Sequence, residues 1–412
     1  MTRAGWQAQA VAMEERFTKD FTQQLPIDDD GIAAALEVLR HGRLHRYNVA
    51  EGELSEVARL EQEFAAFTGA RYALAVASGG YAIATALRAL GVRAGDCVLT
   101  NAFTLAPVPG AIASLGAEPV LVEVTEALVI DLDDLAGKVD QADVLLLSHM
   151  RGHICDMDRL MEICDGAGVA VVEDCAHTMG AAWNGVASGR HGVMAAYSTQ
   201  SYKHLNSGEG GLLISDDARL MARAVLLSGS YMMYERHGAA PEAEIFEDLK
   251  LDVPNISGRM DNLRAAILRP QLARLPERAA AWNARYRVLE EGLRDVAGLE
   301  LIARPAKEEY VMSSFQFLLP GWPEAAVGEL LARCGARGVE LKWFGASVPA
   351  GFTSRYDHWR YVDAPRLAQT DRVLRAIVDM RLPLTFTLDD CARIARIIRA
   401  EVGVVFQGLS PG

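Results

Sequence analysis

Several features that would tie a chain to a membrane, a nucleic acid or a metal ion are missing here. None of the apolar stretches in the 412 residues reaches the ~20 residues a membrane span needs. The opening MTRAGWQAQAVAMEERFTKDF has no apolar core ahead of its acidic residues, so no secretory signal is expected. Lys and Arg number 41 against 54 Asp and Glu, and the net charge of −13 argues against nucleic acid or an anionic lipid surface as partner. The six cysteines (Cys97, Cys155, Cys164, Cys175, Cys334 and Cys391) form no CxxC pair, and no His/Cys group has zinc spacing. They are expected to be small buried thiols in a reducing cytoplasm, with no metal site. A GxGxxG after the first strand is absent, which excludes a plain dinucleotide-binding dehydrogenase. There is no internal repeat and no low-complexity tract.

Half of the residues are hydrophobic, enough to bury more than one small domain. Residues 1 to about 55 read as a peripheral helical segment, in which IAAALEVLRHG is an amphipathic helix ended by Gly42. The helix LSEVARLEQEFAAFTGA follows. Short apolar runs then alternate with helices: YALAVAS, CVLTNAF, PVLVEV, VLLLSHM, VAVVEDC, MAAYSTQ and GLLISDD. That alternation predicts an α/β fold with a mostly parallel sheet buried on both faces. Residues 240–260 are charged and turn-rich and read as a loop. The helical stretch from Arg259 to Val296 carries Pro270, which should kink or divide it. The rest, with strands in SSFQFLLP and GVELKWF and a last helix in DDCARIARIIRAEV, reads as a smaller α+β domain. The tail 408–412 should fray. The expected units are 1–55, a large domain over 56–255, and a linking helix with the small domain over 256–412.

The most informative residues lie in VEDCAHTMG (172–180) and YSTQSYKHLNSGEGG (197–211). Asp174 stands where an apolar strand gives out, and ligands of open α/β sheets bind at such strand ends. Alone, it reads equally well as a cap for the next turn. Ser198 and Lys203 follow a second strand end, ahead of Gly208, Gly210 and Gly211. A pyridoxal phosphate (PLP) enzyme needs this set: a carboxylate to keep the pyridine nitrogen protonated, a hydroxyl for the phosphate and an amine to form the imine. Upstream, SGG at 78–80 ends a strand and opens a helix, whose unpaired N–H groups and dipole attract a phosphate.

Taken together, EDCAHTMG, STQSYK and GEGG resemble, in the same order, the motifs of the DegT family, fold-type I PLP aminotransferases known mostly for amino sugar biosynthesis. The likeness runs from LEQEFAAFTGARYALAVASGG to the last helix. It implies a large domain with a seven-stranded sheet plus a small C-terminal domain. It also implies roles: Lys203 as the Schiff-base lysine, Asp174 on the pyridinium, Ser198 on the phosphate, and His177 near the phenolic oxygen. Gly79 and Gly80 match the phosphate-cradling "SGT", with Gly80 in place of Thr. Leu105 falls where the family has a ring-stacking aromatic; Phe103, two residues earlier, can point to the same side of an extended segment. PNISGRM at 254–260 resembles the loop whose Asn reaches the neighbouring subunit's phosphate, a task for Asn255 or Ser257 in a homodimer with shared sites. In the insert 228–252, Tyr231, Tyr234, Arg236 and His237 are candidate substrate contacts, and Arg236 suits a carboxylate or phosphate. His149 is read as structural. The implied chemistry is ping-pong transamination through pyridoxamine phosphate. The amino group passes from an amino acid, glutamate or glutamine, to a keto-sugar, keto-cyclitol or small acidic keto compound. Dehydration or oxidative deamination on the same scaffold, and a non-catalytic regulatory PLP protein, are the alternatives; the retained Lys203 favours transamination.

Overall fold

The structure is a computed structural model and describes residues 15–50 and 52–409. The seven apolar runs form one sheet: β1 Tyr72–Val76, β2 Cys97–Asn101, β3 Glu118–Val122, β4 Val144–Ser148, β5 Ala170–Asp174, β6 Met194–Ser198 and β7 Gly211–Ser215. Their order is β1-β7-β6-β5-β4-β2-β3. All neighbours are parallel except around β7, which is antiparallel to both β1 and β6. Side chains alternate across the sheet as the twofold period of a strand requires. Ala73 and Ala75 enter the core on one face, and Tyr72, Leu74 and Val76 enter the core on the other. Both faces are therefore covered, which is why these strands read as unbroken apolar runs.

Helix starts follow local capping chemistry. α1 (Asp29–His41), α2 (Glu56–Thr68) and α3 (Gly79–Leu90) begin behind Asp28, Ser55 and Ser78, each accepting a backbone N–H from the first turn. The N-terminal segment differs from expectation. Its residues 1–14 lie outside the described residues, and 15–28 form no helix. Phe17 and Phe21 instead pack edge-on against Phe386, at 4.8 and 4.9 Å, in the core of the C-terminal part. Burial of two rings outweighs any local preference for a helix. Residues 410–412 of the expected frayed tail also lie outside the described residues.

The long helical stretch divides into α4 (Asn262–Ala273) and α5 (Leu275–Leu293), but not at Pro270, which sits inside α4. The break falls at Arg274, just before Pro276, which occupies the first turn of α5 where its missing N–H has no partner to lose. The C-terminal part holds a second sheet of β8 Glu300–Leu301, β9 Ser314–Leu318, β10 Lys342–Trp343 and β11 Ile377–Arg381, in the order β8-β9-β11-β10. It packs against α5 and the last helix, α6 (Leu388–Leu409). Among the described residues, no helix is long and apolar enough to cross a membrane.

Candidate active site

Two glycines bring three chain segments together at the carboxyl edge of the large sheet. Gly211, the first residue of β7, pairs with Val76 on one side and Ser198 on the other. A Cβ there would lie 2.4 Å from the Ser78 carbonyl oxygen. A Cβ on Gly79 would lie 2.8 Å from the Ser198 Cβ. The absence of both side chains lets Ser198 sit against the N-terminus of α3, whose N–H groups have no partners within the helix. Ser78 closes one of these, accepting from the Tyr81 N–H at 3.1 Å.

The cavity at this edge has a volume of about 610 Å³. Of the residues singled out in the sequence, Gly79, Gly80, Leu105, Asp174, His177, Ser198 and Lys203 all line it. Lys203 Nζ lies 2.9 Å from His177 Nε2. Asp174 is buried; it accepts the Ala176 N–H at 3.1 Å and the Ser148 hydroxyl at 3.2 Å. Ser148 in turn accepts from Thr104 at 2.7 Å. Loss of solvent pulls the Lys203 amine down to about 7; Asp174 opposes this, while Arg151 and Arg381 add to it. Burial raises the Asp174 carboxyl, and the Lys203 cation acts against that rise. Burial, then Lys203, holds the half-buried His177 well below its usual range, so the imidazole is neutral and its Nε2 can accept from the amine. The arrangement brings to one cavity an amine drawn towards neutrality, a buried carboxylate and a serine hydroxyl beside a helix N-terminus.

The other singled-out residues lie elsewhere. Phe103 is buried edge-on to Phe344 at 5.1 Å and does not line the cavity. No residue of the insert 228–252 lines the cavity; its singled-out side chains pack within the insert or on neighbouring segments. Tyr234 stacks on Phe246 at 4.5 Å, Arg236 donates to the Tyr47 carbonyl at 2.9 Å, and buried His237 lies 3.2 Å from Glu61. Tyr231 is half exposed beside Arg259. Asn255 and Ser257 are exposed and line no part of their own chain's cavity. Their loop runs past the end of β1, where the Ala77 N–H donates to the Gly258 carbonyl at 2.7 Å. His149 lies 3.0 Å from Glu173, and both are buried. Glu173 and Cys175 sit near enough to His149 to suggest a metal cluster. The Glu173 oxygens, however, already accept N–H bonds from Gly189, His191 and Gly192.

Sequence reasoning missed Ser148, Arg151, Tyr202, Phe352 and Arg381, which also line the cavity. Ser148 and Arg151 stand in SHMRGHICDMD (148–158), a stretch that reads as a strand end followed by a helix start. Arg381 ends β11, a central strand whose Asp379 and Arg381 interrupt the apolar pattern that marked the others.

Residues 27–399 match the DegT/DnrJ/EryC1/StrS aminotransferase family. The chain belongs to that family. It is a PLP-dependent aminotransferase of fold-type I. A putative L-glutamine:3-amino-2,3-dideoxy-scyllo-inosose aminotransferase of Streptoalloteichus tenebrarius is 30% identical over 68% of this chain and 67% of its own. The 3-amino-5-hydroxybenzoate synthase of Amycolatopsis mediterranei is 32% identical over 69% of this chain and 72% of its own. A crystal structure of 3-amino-5-hydroxybenzoic acid synthase, 27% identical, superposes with a TM-score of 0.81 over 94% of this chain and 100% of that one.

Proposed function

We propose that this aminotransferase moves an amino group from glutamate or glutamine to a six-membered cyclic ketone, of the keto-cyclitol or keto-sugar kind, and that Lys203 carries its cofactor. The observation that supports this best is the meeting of Lys203, Asp174, Ser198 and the Gly79–Gly80 helix start in one cavity. The names of two relatives, one a glutamine:inosose aminotransferase and one forming an aminated six-membered ring, support the substrate class. PLP, when bound, supplies an electron sink for breaking a C–H bond next to nitrogen. The residues fit it: Asp174 is a buried carboxylate ready for a cationic ring nitrogen, and Ser198 with the α3 N-terminus suits a phosphate.

Lys203 then has two tasks. With a pKa of about 7, much of the amine is uncharged at neutral pH, so it can attack a carbonyl and later carry a proton. His177 orients it. Ser148 and the Ala176 N–H fix Asp174 in place, so its charge needs no reorganisation during reaction. We assign Asn255 and Ser257 to the phosphate site of a second subunit in a homodimer. Borohydride reduction of the PLP-loaded protein followed by peptide mapping tests the central assignment. The label is expected on Lys203; a label on another lysine, or none, overturns it.

A further inference from the structure

We propose that Arg381 determines which substrates this cavity accepts, by receiving a substrate carboxylate. The inference rests on the function proposed above and names the substrate group, a carboxylate, that this residue meets.

Arg381 ends β11 in the C-terminal part and reaches the cavity that holds Lys203. Its guanidinium carbon lies 3.6 Å from the centre of the Tyr202 ring and 5.2 Å from that of Phe352. Stacking of this kind occupies the faces of the guanidinium and leaves its in-plane N–H donors free, the geometry that meets a carboxylate two bonds at a time. The side chain forms no ion pair or hydrogen bond with the described residues. The nearest acid on its own strand is committed elsewhere: Asp379 gives one oxygen to Arg151 and the other to Gln316, each at 2.7 Å. Arg151 is thereby neutralised, and Arg381 is not. Lys342 and Arg151 also approach the Phe352 ring, at 4.5 and 4.7 Å, but Lys342 is paired with Glu340 at 3.1 Å as Arg151 is with Asp379. Of the three cations around this ring, Arg381 is the one with no ion pair among the described residues. Arg381 is half-buried with no acidic side chain at ion-pair distance among the described residues; its charge reaches the exposed Asp20 only from further off, and a bound carboxylate would supply the close partner.

Two substrates can bring that carboxylate, the amino donor and the carbonyl acceptor, and the two half-reactions separate them. The holoenzyme is treated with L-glutamine or its α-carboxamide, and the aminated holoenzyme with 4-oxocyclohexanecarboxylate or its carboxamide. Each reaction is followed through cofactor absorbance, and binding of the four probes by calorimetry. Wild type should favour the acid over the amide by roughly 10–100-fold in at least one arm, the scale of a charge-assisted hydrogen bond. Arg381→Gln should abolish that preference, and Arg381→Lys should restore part of it. Loss in the donor arm alone assigns the amino acid carboxylate, loss in the acceptor arm alone assigns an acidic ketone, and loss in both means they use the group in turn. An unchanged preference in both arms overturns the proposal. So does failure of Arg381→Gln to take the borohydride label at Lys203, which would put Arg381 in the cofactor cradle instead. A wild-type label on another lysine overturns the cofactor assignment, while the calorimetric preference still reads Arg381 separately.

Discussion

An ordinary lysine holds its proton to a pH of about 10.4, and a lysine that must form an imine at neutral pH cannot afford to. Lys203 is drawn down to about 7 by removal from water, with Arg151 and Arg381 adding to the effect. Two consequences follow with a definite sign. The rate at which apoprotein captures PLP should climb through pH 7 and level off above it; a climb continuing towards pH 10 would mean the amine is unperturbed. Between those values the unfolded lysine keeps a proton that the folded one has released. Apoprotein stability from this group therefore rises with pH across that window and is lost as pH falls towards 7. Asp174 makes a second test. Asp174→Asn keeps the shape and an oxygen for the Ala176 N–H but removes the charge. Turnover should fall by roughly 10²–10³-fold, the scale for losing one preorganised electrostatic partner, with circular dichroism unchanged. Near-normal turnover would reduce Asp174 to a cap.

The glycines at the start of α3 look equivalent in sequence, and the structure separates them. A Cβ on Gly79 would press on Ser198, whereas on Gly80 its nearest neighbour is Pro107 at 3.7 Å, an ordinary contact. Gly79→Ala should push Ser198 away from the helix start and weaken PLP retention about tenfold or more, while Gly80→Ala should bind PLP almost as wild type does. Equilibrium dialysis of the cofactor checks both; equal behaviour would separate the cradle from this close approach. The same elements show what sequence patterns can convey. The seven strands of the large sheet were legible because burial on both faces leaves uninterrupted apolar runs, and Asp174, Ser198 and Lys203 were legible because they follow strand ends. β11 was hidden because its polar residues face the interior of the site, where Asp379 meets Arg151. The insert misled because tyrosine, arginine and histidine read as contacts for a ligand, and only tertiary packing shows Tyr234 on Phe246 and His237 beside Glu61. The loss of helix from residues 15–28 had no local sign either, since its cause is a ring cluster with Phe386, far along the chain.

On the scale of the molecule, the segment from 231 to 256 carries apolar side chains left in water: Leu251 is 84% exposed and Met232 59%. Asn255 and Ser257 adjoin that surface without reaching their own cavity. Mixing inactive Lys203→Ala with inactive Asn255→Ala/Ser257→Ala should restore activity on subunit exchange, because one site of each hybrid escapes both defects. An exchanged but inactive mixture, or an active monomer, rules the shared site out. Within one subunit, β7 gives the assembly a direction in time. Every side chain assigned to the cofactor is translated by Lys203, apart from those lent by a neighbour, yet Val76 and Ser198 become neighbours only when Gly211 slides between them. A nascent chain halted before Gly211 owns the chemistry and lacks the place to perform it. On the proposed assignment, acquisition of the cofactor reports that a strand pairing distant in sequence has closed in the correct register, and a slip of one residue is expected to impair loading.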